Sequence, residues 1–163
     1  MRAFALAIAC IAGPAFSCGV GEWEVFDCSV SGGKKTLRIC STEEAAIYRF
    51  GVPGKDPELE LFEPIPSFDY QPWPGIGRYL NERVTFTNDS YGYTVYSSFD
   101  RLSEGAQQEG GVIVIKGDAE LAHLRCDAGS VSARIDLFGQ FKSAAGQCWD
   151  YEARNWTSEC PAN

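Results

Sequence analysis

Histidine occurs once in this chain of 163 residues, as His123. A hydrolase triad needs a histidine beside an activated serine and a carboxylate. His123 instead lies in an alternating stretch, sharing a face with Leu121 and Arg125, which reads as a structural or exposed position. There is no Gly-x-Ser-x-Gly elbow. Cys-x-x-Cys is also missing, which with a single histidine leaves little to hold a metal. Gly75-Ile76-Gly77 precedes a strand pattern rather than a helix, so it is no phosphate loop. The carboxylates Glu43-Glu44, Glu58 and Glu60 are common features of an acidic surface. A non-enzyme without a cofactor is the expectation. Basic residues are scarce too: 14 Lys and Arg against 22 Asp and Glu leave a net charge of −8. Nucleic acid and anionic lipid bind through positive charge, so both are poor partners, whereas a strongly basic protein would be steered toward such a surface. No apolar run is long enough to span a bilayer. Internal repeats, coiled-coil heptads and low-complexity tracts are likewise absent.

The N-terminus carries a different signal. Met1-Arg2 is followed by an apolar run from Ala3 to Ala12, then Pro14 and the small residues Ala15 and Ser17. This reads as a secretory leader over residues 1–17, cleaved after Ser17 or, alternatively, after Ala15. Within the leader only Arg2 is charged, so the mature domain, residues 18–163, carries −9 in place of −8. The expected location is periplasmic or secreted. Cysteine usage agrees, because Cys10 leaves with the leader and six remain: Cys18, Cys28, Cys40, Cys126, Cys148 and Cys160. An even set in an oxidising compartment reads as disulfides. Cys28 and Cys40 lie on the arms of one expected hairpin and are paired first. Cys148–Cys160 is the next most economical bridge, leaving Cys18–Cys126, although six cysteines allow 15 connectivities.

Along the chain, Trp23–Val30 and Thr36–Cys40 alternate as strands around the turn Ser31–Lys34. Ser41–Glu44 offers a helix cap, but Ile47–Phe50 alternates and reads better as a third strand, ended by Gly51. Leu59–Phe62 is a short fourth strand whose edge is a candidate for pairing between two copies. From Pro66 to Gly77 no period survives, and this aromatic loop reads as a plug or lid, with Trp73 between two prolines. Tyr79–Phe86 and Gly92–Phe99 form a hairpin, Asp100–Gly111 a polar linker, Val112–Ile115 a strand buried on both faces, and Leu121–Cys126 a last strand. Val131, Ile135, Leu137-Phe138 and Phe141 recur near helical spacing, with Ser130 or Ser132 as caps and Gly146 as a stop. Residues 128–163 therefore read as a helical, disulfide-stapled tail. The expected fold is all-β, about eight antiparallel strands in a sandwich or flattened barrel with a short C-terminal helix.

The hairpin carries the functional signal. Asn88-Asp89-Ser90 turns the chain, and Ser90, Tyr91, Gly92 and Tyr93 form its tip. Tyrosine supplies contact area at low rotamer cost, which suits insertion into a cleft; an ordinary solvated turn is the competing reading. An exported, acidic, disulfide-bearing β-domain with Ser90-Tyr91-Gly92-Tyr93 at a hairpin tip resembles the periplasmic lysozyme inhibitors of bacteria, most of all those of invertebrate-type lysozyme. The resemblance implies an eight-stranded antiparallel body and a protruding Ser-Gly-x-Tyr loop that enters the lysozyme cleft. It implies that Ser90 is the deeper key and Tyr93 its companion, each hydrogen-bonding around the catalytic carboxylates. Here the glycine stands one place late, at Gly92, with Tyr91 in its stead. The vertebrate-type branch adds a basic residue from a neighbouring loop, for which Arg101 is the nearest candidate in sequence. A basic lysozyme is then the expected partner, with a homodimer also open. The competing class is a β-barrel binding a small ligand or envelope component, lidded by Phe68–Trp73.

Overall fold

A computed structural model describes residues 17–160. All of the expected leader except Ser17 lies outside the described residues. The fold is an all-β sandwich of two five-stranded antiparallel sheets. Strands β1 (Trp23–Val30), β2 (Lys35–Ser41), β3 (Ala45–Gly51) and β4 (Leu59–Pro64) follow one another as a meander. β10 (Ser132–Ala133) adds to the free side of β1. The second sheet runs β5 (Asp69–Gln71), β6 (Tyr79–Asn88), β7 (Tyr91–Asp100), β8 (Glu109–Lys116) and β9 (Ala119–Arg125), again in chain order. A short ribbon of β11 (Cys148–Asp150) and β12 (Asn155–Thr157) completes the tail.

The period-two pattern explains the core. Leu37 and Ile39 of β2, Ala46 and Tyr48 of β3, Val84 and Phe86 of β6, Val95 of β7 and Val112 of β8 point between the sheets and are fully buried. A bulge between Glu24 and Phe26 lets adjacent residues of β1, Val25 and Phe26, both turn inward. Such bulges insert one residue and re-aim its side chain. The strand expected to be buried on both faces is not: Val112 is buried, but Ile113 and Ile115 are half-exposed on the outer side of the second sheet. The aromatic loop does act as a plug, but through Phe68 and Tyr70 and not through Trp73. Asp69–Gln71 pairs with β6, while Trp73 stays half-exposed with its indole N–H on the Ile76 carbonyl at 3.0 Å.

The tail closes the side of the sandwich between the start of β1 and β5. Its helix α1 spans Leu137–Ala144, shorter than the pattern from Val131 predicts. Residues 131–134 are extended instead because the β1 edge takes them up: Phe26 pairs with Ala133, and the Arg134 N–H reaches the Val25 carbonyl at 2.7 Å. Neither expected serine caps the helix, since Ser130 bonds Ser29 and Asp127 in a turn, and Asp136 stands at the N-cap. Phe138 packs edge-on to Phe68 at 4.7 Å, and Trp156 stacks on Tyr70 at 5.8 Å. Lys142 is buried in this contact, its ammonium donating to the Ile65 carbonyl at 2.9 Å.

Two of the three expected disulfides are corrected. The bonds are Cys18–Cys40, Cys28–Cys126 and Cys148–Cys160. Cys28 and Cys40 cannot meet, because Cys28 lies opposite Leu37 and Cys40 opposite Glu24, towards different ends of the β1–β2 pair. Cys28 faces inward and reaches across to the end of β9, tying residues 98 apart. Cys40 takes the N-terminal segment.

Two predictions follow from this packing. Peptide mapping of the oxidised protein should recover Cys28 with Cys126 and Cys18 with Cys40. Replacing Cys28 and Cys126 by serine should cost about 4–5 kcal/mol in denaturant unfolding, against about 3 kcal/mol for Cys148 and Cys160, since the longer loop constrains the unfolded chain more. Lys142 sets the second. Burial pushes its ammonium down to about 8, against about 10.4 in an unfolded chain. Between those values the unfolded chain holds more protons, so stability rises with pH through the window, and the burial penalty, about 3 kcal/mol, is complete below it. Urea midpoints measured across this range should climb for the natural protein relative to Lys142→Met. Parallel curves would show that the ammonium is not desolvated.

Candidate functional site at the paired hairpin turns

β6 and β7 pair over their full length, down to Asn88 opposite Tyr91, so only Asp89 and Ser90 form the turn. Asp89 takes a left-handed backbone with φ 53°, a conformation that aspartate tolerates better than most residues. The tip does not stand alone. Tyr91 pairs with Lys116 of β8, which turns through Gly117-Asp118 into β9, so two hairpin turns lie side by side at one end of the second sheet. A carboxylate from the other sheet braces the root: Glu63 accepts the Thr87 N–H at 2.9 Å and its hydroxyl at 2.6 Å.

The predicted site residues separate into three groups. Ser90 is exposed at the apex, next to exposed Asp89. Tyr91 is half-buried, with the Lys116 ammonium 4.7 Å from its ring centre and 3.2 Å from its hydroxyl. Tyr93 shares that strand face but lies deeper, its ring 5.8 Å from the buried ring of Tyr48. Gly92 points to the opposite face and is buried; its φ is not positive, and a β-carbon there would sit 2.8 Å from Ile115 Cγ1. Gly92 is thus required for space and not for turn conformation. Arg101 lies beyond the other end of β7, stacked 5.1 Å from the Trp73 ring, and cannot share a surface with Ser90. The cation beside the tip is Lys116, which went unrecognised because its proximity depends on the β7–β8 register.

Away from the tip, several charged groups are paired across the strands. Arg49 holds Glu22 and Glu60, Arg38 holds Asp27, and Lys35 pairs with Glu58. Two of the carboxylates singled out in the sequence are therefore ion-paired. His123 bonds the Tyr96 hydroxyl at 2.9 Å, not a serine or carboxylate. A carboxylate missed in the sequence is Glu82, on the inner face of β6. Burial raises its pKa, while the Tyr70 hydroxyl donating to it at 2.7 Å acts the other way. The phenol of Tyr70 is itself pushed far up, chiefly by burial. This pair lies beneath the docked tail. Three disulfides fit an oxidising compartment, and among the described residues no helix is long and apolar enough to cross a membrane. No family model, curated protein or solved structure matches the chain.

Gly92→Val should push Ile115 aside and destabilise the paired hairpins by about 1–3 kcal/mol, the usual range for overpacking. Amide exchange in β7 and β8 would read the effect; unchanged protection at both strands would mean that the close approach is easily relieved.

Proposed function

We propose that this protein is an exported inhibitor of a basic lysozyme-type enzyme, acting by inserting the β6–β7 turn into the active-site cleft. The observation that carries the reading is an exposed Ser90 on a two-residue turn braced on both sides, by the β8–β9 hairpin and by Glu63. Bracing matters because ordering a loose loop on binding would subtract from affinity. Ser90 donates to a carboxylate of the enzyme, a charge-assisted bond stronger than a neutral one. Tyr91 replaces Tyr93 as its companion, since Tyr93 is committed to Tyr48, and Lys116 takes the part first given to Arg101. The mature charge of −9 and exposed Asp89 and Asp118 at the two turns steer a cationic enzyme to this end. An apolar ligand inside the sandwich is less well supported, because Phe26, Phe68, Phe86 and Phe138 already fill the space between the sheets.

Titrating vertebrate, goose and invertebrate lysozymes with the purified oxidised protein should show stoichiometric inhibition of one class, weakening as salt is raised. Ser90→Ala combined with Tyr91→Phe should weaken that inhibition by about tenfold or more, the worth of one to two charge-assisted bonds, with the thermal midpoint unchanged. Failure to inhibit any class with the disulfides intact would refute the proposal.

A further inference from the structure

A cavity of about 280 Å³ opens on the second sheet away from the tip, walled by the start of β8, the end of β9 and the turn that follows it. Tyr96 forms one wall and Arg125 another; Gln107 and Glu109 stand at the margin, and Gly129 lines the turn side. The register explains the clustering. Tyr96 of β7 lies opposite Gly111 of β8, and Gly111 lies opposite Arg125 of β9. A β-carbon on Gly111 would come within 3.0 Å of the Tyr96 hydroxyl and 2.4 Å of the Leu124 carbonyl, so only glycine lets the phenol lie across the strand. His123 then holds that hydroxyl at 2.9 Å, its ring edge-on to Tyr96 at 5.5 Å.

The charges around this cavity are not equivalent. Asp127 also lines it, but its carboxylate is fully engaged, accepting the Gly32 and Gly33 N–H groups at 2.8 Å and the Ser29 hydroxyl at 2.7 Å. Those bonds hold its pKa below the usual carboxylate range. Arg125 is exposed and, among the described residues, has no carboxylate at ion-pair distance; Arg83, Arg101, Arg134 and Arg154 share that property, but Arg125 alone of these stands in the cavity wall, beside Tyr96. In a protein with such an acidic excess, a guanidinium left free beside a fixed phenol and a concavity is available to a ligand.

We propose that this cavity binds a carboxylate-bearing sugar. The Arg125 guanidinium takes the carboxylate as a two-pronged partner, a geometry suited to that group. Tyr96 supplies a ring face for the C–H side of the sugar and a hydroxyl oriented by His123. Gln107 and Glu109 supply the donor and acceptor that ring hydroxyls require. The volume suits one sugar unit of a longer chain, with the open side towards solvent. This site is independent of the hairpin tip and of lysozyme binding.

The test is amide-shift mapping by NMR with millimolar glucuronate and, separately, glucose, which lacks the carboxylate. Glucuronate should shift the amides of Gly110, Arg125 and Gly129 with saturation, and glucose should bind about tenfold more weakly, as expected for one charge-assisted contact. Arg125→Gln, at an exposed position, should abolish the difference between the two sugars, and Tyr96→Phe should weaken both while keeping the wall. Equal binding of glucose and glucuronate by the natural protein, or a preference for glucuronate retained in Arg125→Gln, would overturn the assignment. So would the absence of shifts with either sugar, or a preference for free alanine over glucuronate.

Discussion

The junction of β1 with the end of β9 is the constraint on which the rest of the structure depends. There the Cys28–Cys126 bond, the bridge of Val30 to Cys126 and the Asp127 N–H on the Ser29 carbonyl at 2.8 Å join the two sheets between residues 98 apart in the chain. The Asp127 side chain then reaches past the joint and caps the β1–β2 turn, where Ser31, Gly32 and Gly33 all have positive φ. The two glycines take this conformation freely, whereas Ser31 is strained by its β-carbon, and bonds of this kind help to hold it. One carboxylate thus fixes the first turn, the last strand of the second sheet and a wall of the cavity. Its position explains why the sheets keep one register relative to each other: the disulfide restrains the unfolded chain, and the capping bonds select which turn meets which strand end.

The opposite side of the sandwich is closed by different means. Phe138 packed on Phe68 and Tyr70, with Trp156 stacked on Tyr70, supplies the apolar contact, while the buried Lys142 donates to the Ile65 carbonyl and shares the Pro66 carbonyl with the Gln147 amide. A lysine here is costly in desolvation but specific, since buried polar groups tolerate only arrangements that satisfy them. The aromatic pile thereby provides stability and the ammonium provides registration of the helix over β5. Glu82 and Tyr70 beneath it are a second buried polar pair in the same contact, so the tail is docked through groups whose protonation matters as well as through area.

Strand existence was legible in the sequence wherever alternation ran for several residues, as in Thr36–Cys40, Thr85–Phe99 and Leu121–Cys126. What escaped was set by long-range pairing. Asp69–Gln71 and Ser132–Ala133 are too short to show a period and are strands only because β6 and β1 offer them an edge. Neighbouring strands suggest a Cys28–Cys40 bond, yet the register places the two near opposite ends of the pair and only Cys28 faces the core. Gly110-Gly111 read as the end of a polar linker; in fact each admits an aromatic ring, Phe26 from the core side and Tyr96 from the outside. At the candidate site, Ser90 was visible from its turn, and Tyr91 and Tyr93 from their strand. Which tyrosine is committed inward depends on Tyr48, and which cation is near depends on β8, neither of which local pattern encodes.

The arrangement of the two turns bears directly on how an inserted tip would work. A single two-strand arm twists and bends freely, whereas Ser90 here is carried on strands with partners on both flanks and a carboxylate clamp at the root. Little freedom remains to be lost when the turn enters a cleft, so affinity would rest on the fit of the apex and not on ordering it. The same rigidity narrows the range of partners. Lys116, held over Tyr91, puts one positive charge beside a serine flanked by Asp89 and Asp118, and the apex therefore offers a donor set within an acidic surround. That combination suits an enzyme whose cleft holds carboxylates while its outer surface is basic: the long-range field favours approach, and the local donors meet the acid groups at the bottom. An enzyme with a basic cleft would meet Lys116 and be rejected by the same contact.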